Sequence, residues 1–169
     1  MRIAKFYPHM FEEPPISGKN GSGTIFFTGC SLRCVFCQNY SLSRSERGKE
    51  ITPRELADIF KRLEDMGVHN INLVTPTHFV PEIAEAFQIY RPKIPVVYNT
   101  HSYETLKTLE IINPYVDIYL PDLKFYSPEI SKRYTGKADY FAVAEKAIAF
   151  MMNSKKTEFY ENGMMKSGV

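Results

Sequence analysis

Short, nearly continuous apolar runs alternate along this chain with longer stretches in which apolar residues return every three or four positions. The runs lie at residues 24–29 (TIFFTG), 70–75 (NINLVT), 94–100 (IPVVYNT) and 116–124 (VDIYLPDLK). Each is rich in β-branched or aromatic residues and bounded by turn formers, which reads as a buried strand. The clearest helix lies in TPRELADIFKRLEDMG, where Thr52 and Glu55 form a capping box, Pro53 takes the first helical position and Gly67 supplies the stop. Leu56, Ile59, Phe60, Leu63 and Met66 fall on one face at helical spacing, a core stripe rather than a cofactor site. A second helix is expected over residues 80–90, with Ile83, Phe87 and Tyr90 inward. A third is expected over 102–112, capped by Ser102, and a last one through ADYFAVAEKAIAFMM.

Strands alternating with amphipathic helices argue for βαβ units and a parallel sheet. About four such units are visible, and a closed eight-fold barrel needs ~250 residues, so the fold class is α/β, either a partial (β/α) barrel or an open sheet. In both, the loops after the strands face a common site. Those loops carry residues 30–37, 75–78, 99–102 and 121–124. Residues 1–22, rich in Pro and Gly, read as an irregular lead-in, 23–154 as the α/β core, and 155–169 as the start of a further strand unit.

Composition narrows the classes. With 169 residues the chain can build one continuous core without disulfides or structural metal. Its formal charge of +2, from 21 basic and 19 acidic residues, gives no general argument for nucleic acid or an anionic membrane. The sequence shows neither a signal-peptide core nor a run approaching the ~20 apolar residues of a membrane span. A cytoplasmic protein is expected, in a compartment where clustered thiols bind metal more often than they pair.

All three cysteines, Cys30, Cys34 and Cys37, fall in one stretch, GTIFFTGCSLRCVFCQNY, with the spacing C-x3-C-x2-C. Three thiols cannot pair off, and they fall one short of a closed zinc site. They can hold three corners of an iron–sulfur cluster and leave one iron open. Zinc completed by a histidine is the alternative, but His9, His69, His78 and His101 supply no paired H-x3-H group.

This loop, after a first strand and with Phe36 just before the last cysteine, resembles the signature of the radical S-adenosylmethionine (SAM) enzymes. The segments EEPPISG, GSGTIFF, CVFCQNYSLS, NINLVTPTHFVPEI, VYNT, VDIYLPDLK and ENGMMKSGV resemble the branch homologous to pyruvate formate-lyase activating enzyme. The resemblance implies a partial barrel of the radical SAM type and a [4Fe–4S] cluster on Cys30, Cys34 and Cys37. SAM would be chelated at the open iron and cleaved by one-electron reduction to methionine and a 5′-deoxyadenosyl radical, which abstracts hydrogen from a substrate. The substrate would be a protein or peptide, such as a glycyl-radical enzyme, and the electron would come from a donor such as flavodoxin or ferredoxin. Phe36 matches the aromatic near the adenine, and Lys124 the lysine near the methionine carboxylate, with Asp122 two residues before it.

Two departures stand out. Where the family usually has Gly-Gly-Glu, whose carbonyls accept from the methionine ammonium, this chain has Thr75-Pro76-Thr77; carbonyls and hydroxyls of Thr75 and Thr77 can still accept. Where the activators carry an Asp beside a monovalent cation, this chain has Asn99, leaving Asn99, Thr100 and Asp122 as oxygen ligands. In the family, further strands and helices follow ENGMMKSGV. The resemblance therefore implies a chain truncated at its C-terminus, with later units missing and residues 155–169 disordered for want of partners. That makes a non-catalytic remnant, an iron–sulfur or interaction module, the alternative function. The bland readings are a structural Asp122–Lys124 ion pair, locally bonded His78 and His101, and solvated loops at residues 43–49 and 153–156.

Overall fold

Residues Arg2–His9 form the first strand, β1, ahead of the four expected from the apolar runs. A computed structural model describes residues 1–44 and 47–169, so Ser45 and Glu46 of the basic loop expected at 43–49 lie outside the described residues. After β1 come a single helical turn α1 (Pro14–Ser17), strand β2 (Ser22–Phe27), the turn α2 (Tyr40–Ser43) and the two-residue strand β3 (Lys49–Glu50). Helix α3 (Pro53–Asp65), strand β4 (Ile71–Val74), helix α4 (Val80–Ile89), strand β5 (Val96–Thr100), helix α5 (Leu106–Ile112) and strand β6 (Ile118–Pro121) then alternate. Helices α6 (Pro128–Thr135) and α7 (Tyr140–Ser154) and a hairpin, β7 (Glu158–Phe159) and β8 (Met165–Ser167), complete the chain.

One sheet runs in the order β3-β1-β2-β4-β5-β6. Strands β2, β4, β5 and β6 are parallel, and β1 is antiparallel to both of its neighbours. The α/β reading therefore holds, with four consecutive parallel strands compatible with a partial barrel. The irregular lead-in expected at residues 1–22 is corrected, because its first eight-residue stretch is a sheet strand. The period of two is hidden by a bulge between Ile3 and Lys5. Beyond it, Phe6 packs on the helix-side core while Lys5 and Tyr7 turn to the opposite face.

Alternation assigns each strand a helix face and an inner face. Ile25, Leu73, Val96, Tyr98 and Tyr119 meet Phe60 and Phe87 of α3 and α4 in the main core. The Phe60 and Phe87 rings stack with centroids 4.7 Å apart. Residues of the inner face fall in transverse rows by register: Lys5, Phe26, Val74, Asn99 and Leu120 in one, and Tyr7, Thr24, Asn72, Val97 and Ile118 in the next. The second row is floored by Ile16 of α1, which packs with Val97 and Ile118.

The capping box forms as expected, Thr52 accepting from the Glu55 amide at 3.2 Å and Glu55 accepting from the Thr52 amide at 2.9 Å. Met66 does not share the stripe's burial; it caps the helix and is 55% exposed. Helix α5 starts later than expected. Its cap is Thr105, which accepts from the Thr108 amide at 3.1 Å, whereas Ser102 is buried with φ +62°. Residues 155–169, expected to be disordered, form the β7–β8 hairpin, with Gly163 at φ +79° in its turn. The hairpin docks on the outer edge of β6, where the Tyr119 amide donates to Gly168 at 2.9 Å and the Gly168 amide to Asp117 at 3.0 Å. Those edge groups supply the partners that the expectation took to be missing. Among the described residues no helix is long and apolar enough to cross a membrane.

Candidate functional site

Strand β2 leaves the sheet through Gly29, whose φ of +84° turns the chain directly into the cysteine loop. A Cβ at Gly29 would lie 3.3 Å from the His78 ring, so the close approach also favours glycine. The loop is held from four sides. His78 Nε2 donates to the Thr28 carbonyl at 2.7 Å, and the Gly29 amide donates to Leu42 at 2.9 Å. The Val35 amide donates to Tyr134 of α6 at 3.0 Å. Just past the end of β5, His101 meets Ser31 with Nε2 and Oγ 3.1 Å apart. Because His101 Nδ1 accepts from the Tyr103 amide at 3.1 Å, the proton sits on Nε2 and is donated to Ser31. Burial, with the Lys124 charge second, brings His101 down to about 4, so it is neutral near pH 7.

Cys30, Cys34 and Cys37 are free thiols, Cys34 buried and the other two half-buried. All three line one cavity of about 790 Å³ over the C-terminal ends of the parallel strands. Burial raises the Cys34 thiol, Lys124 lowers it, and Cys30 and Cys37 raise it further. The thiols therefore share one electrostatic neighbourhood with one ammonium. Three sulfur donors beside a cation fit an iron–sulfur cluster, which takes thiolates and is anionic with them. Among the described residues no three His, Cys, Asp or Glu side chains are grouped closely enough for one metal ion.

Phe36, Thr75, Asn99, Thr100, Asp122 and Lys124 line the same cavity. Phe36 meets the edges of Phe125 and Tyr134, each with centroids 5.8 Å away. Thr75 has φ +55°, uncommon for a β-branched residue, and its amide donates to the Asn99 carbonyl at 2.9 Å. Thr77 does not line the cavity. The 3₁₀ turn over Thr77–Phe79 carries it away, and its hydroxyl donates to Glu104 Oε1 at 2.6 Å. The Thr100 hydroxyl is spent on the same oxygen at 2.6 Å. Lys124 Nζ pairs with Asp122 Oδ2 at 2.6 Å. Strand β6 ends at Pro121, so this pairing comes from the turn after the strand and not from its pleat.

Three groups were not visible from the sequence. Glu104, 3% exposed, ties the ends of β4 and β5 together. Fully buried Tyr140 of α7 accepts from the Lys124 amide and offers its proton to the carbonyls of His101 and Asp122, all at 2.9 Å. The third is the inner face of β1, where Lys5, Tyr7 and His9 line the cavity. His101, expected on the substrate side, has both ring nitrogens engaged locally.

Comparison with known proteins matches residues 24–159 to the family profile described as Radical SAM superfamily. The chain is also similar to an uncharacterized protein of Methanocaldococcus jannaschii, 34% identical over 134 residues, which cover 74% of this chain and 39% of that relative.

Proposed function

The chain belongs to the radical SAM superfamily, and from that premise we propose that Cys30, Cys34 and Cys37 hold a [4Fe–4S] cluster and that the adjoining cavity receives SAM. Members of the superfamily use both cofactors. The observation that carries the reading is that three free thiols and the Lys124 ammonium share one cavity at the ends of four parallel strands. When bound, the pair supplies reductive cleavage of the SAM sulfonium to methionine and a 5′-deoxyadenosyl radical that takes a hydrogen atom from the substrate.

The chain's own residues then position and protect. Lys124 offers its ammonium to the methionine carboxylate, a charge-assisted contact strengthened by its half-buried stem. The bend at Thr75 presents backbone carbonyl oxygen at the end of β4, where an ammonium can donate to it. Asn99 and Asp122 add oxygens along the same edge, while Thr100, its hydroxyl engaged with Glu104, holds the end of β5 in place. Phe36, with Phe125 and Tyr134 behind it, gives an apolar flank for the adenine. Thr77 acts through Glu104 and not by contact.

The finer reading is an activase that removes hydrogen from a polypeptide substrate, with a flavodoxin- or ferredoxin-like electron donor. It is supported by the segment resemblance to the formate-lyase activators. Anaerobic reconstitution followed by reduction with SAM is expected to yield 5′-deoxyadenosine and methionine, and Cys34→Ala is expected to yield neither. A cluster that forms without cleaving SAM would replace the enzyme with an iron–sulfur module. Equal product from Cys34→Ala would overturn both. A glycyl radical seen by electron paramagnetic resonance in an added polypeptide would establish the activase.

A further inference from the structure

Two lysines face the cavity from its opposite ends. Lys124 follows β6 and is paired with Asp122 at 2.6 Å. Lys5 lies on β1, and among the described residues no carboxylate comes within ion-pair distance of it. Its ammonium instead sits 5.0 Å from the Tyr7 ring centre and 4.9 Å from that of Phe26. The two rings lie within 16° of parallel with centroids 5.8 Å apart, and the ammonium is about equally near both. Cation–π attraction at an accessible site is worth about 0.5–1 kcal/mol, which holds the ammonium in place without neutralising it.

Register fixes where this charge stands. Lys5 pairs with Phe26, Phe26 with Val74, Val74 with Asn99. Lys5 therefore occupies the row that contains the proposed cofactor residue Asn99, three strands across from it with β2 and β4 between. The thiols and Lys124 line the same cavity. A molecule reaching the reactive centre beside SAM would have the Tyr7 and Phe26 rings and the Lys5 ammonium within the same chamber. Glu12 and Glu13 also line the cavity. Burial and the Glu13 charge raise the Glu12 carboxyl, His9 lowers it, and Asp122 adds to the rise.

We propose that Lys5 is the substrate anchor of this cavity and that the substrate carries a carboxylate, held by the Lys5 ammonium above the Tyr7 and Phe26 rings. This rests on reading the cavity as the reaction chamber. A lone ammonium over apolar rings suits one negative charge on a short aliphatic stem. A phosphate would call for more donors, and the next basic residue on this face of β1 is His9, four positions on. An acidic side chain of a polypeptide and a free carboxylic acid present the same group.

The test uses the reconstituted protein with SAM and three probes: an acetylated, amidated glycine-containing hexapeptide with one Asp, its Asn twin, and free glutarate. Binding is read by the change in tyrosine fluorescence, and 5′-deoxyadenosine is measured in parallel. The Asp peptide is expected to bind at least tenfold tighter than its twin, with the preference lost in Lys5→Met and kept in Lys5→Arg. Glutarate binding with the same Lys5 dependence, in place of the peptide, would assign the free acid as the source. Equal binding of the Asp and Asn peptides together with no Lys5-dependent glutarate binding, a preference that survives Lys5→Met, or no saturable binding of any probe overturns the proposal. Failure of the radical SAM reading is separate, since wild-type protein would then release no 5′-deoxyadenosine under any condition.

Discussion

Glu104 accepts the Thr77 hydroxyl on Oε1 at 2.6 Å, and the same oxygen takes the Thr100 hydroxyl at 2.6 Å and that of Tyr98 at 3.2 Å. One buried carboxyl thus fixes the loop after β4 against the end of β5, and its other oxygen has no hydrogen-bond partner among the described residues. Glu104→Ala leaves three hydroxyls without an acceptor and a hole behind them. The expected loss is about 2–4 kcal/mol of stability, read from urea unfolding. Glu104→Gln keeps the acceptor and is expected to retain most of it. Burial holds the Glu104 carboxyl above its ordinary range, so the folded chain keeps this proton to higher pH than the unfolded chain. Its contribution to stability therefore falls as pH rises from 4.5 through the raised value, and Glu104→Gln is expected to remove that part of the slope.

Tyr140→Phe tests the link between the loops that follow β5 and β6. The change removes the partner of the Lys124 amide and unpairs the carbonyls of His101 and Asp122. Stability should fall by about 1–3 kcal/mol. If the hydroxyl positions Lys124, the KM for SAM should also rise, by ~tenfold for a loss of 1.4 kcal/mol in binding, with a smaller change in kcat. A stability loss with KM unaltered would leave Tyr140 a packing residue only.

His101 gives the chain an acid-sensitive contact. The folded value of about 4 lies below the ordinary 6.5, so the contribution is complete above 6.5 and lost as pH falls toward 4. By pH 4 it amounts to about 3 kcal/mol. In His101→Gln that part of the acid dependence should vanish, which chemical unfolding at pH 7, 5.5 and 4 would show as a flatter profile. An identical profile in both proteins would mean that the imidazole is protonated without penalty.

Thr52→Ala provides a control remote from the cavity. Loss of the capping box at the start of α3 should lower stability by about 1 kcal/mol. Yields of 5′-deoxyadenosine at a temperature well below the unfolding midpoint should match those of the unsubstituted chain.

The strands β2, β4, β5 and β6 and the start of α3 were legible because their local signals agree with their tertiary setting. Apolar runs became strands buried on both faces, and the Thr52–Glu55 pair became a cap. β1 was not legible for two physical reasons. Its inner residues are polar because they line a cavity, and the bulge after Ile3 shifts the alternation by one. Pro8 strengthened the irregular reading, yet it lies past the short pairing with β3, where the side left without a donor meets no strand. Glu104 was hidden inside an expected helix. The Thr105-x-x-Thr108 cap ahead of Leu109 and Ile112 was the signal that the helix starts later and that residues 101–104 belong to the site. Tyr140 reads from sequence as one more apolar position of an amphipathic helix, and nothing local announces its three hydrogen bonds. The cysteine loop was legible as a set of donors because all three sulfurs are close in sequence. The role of Thr77 was not, since it depends on a 3₁₀ turn that points it at Glu104.

The main core contains no cysteine; Cys34 belongs to a separate small group with Leu32, Phe125, Tyr140 and Ala144. The sheet and its helices can therefore close around Phe60, Leu73 and Tyr98 before any metal arrives. Val35 and Phe36 remain exposed beside the thiols, so inorganic material can be delivered to a finished scaffold from outside. Maturation then separates into two events with different suppliers: translation sets when the sheet exists, and iron and sulfide delivery sets when the loop is loaded. Iron-free protein is therefore expected to keep its sheet and helices, and the same far-ultraviolet circular dichroism before and after reconstitution would show it.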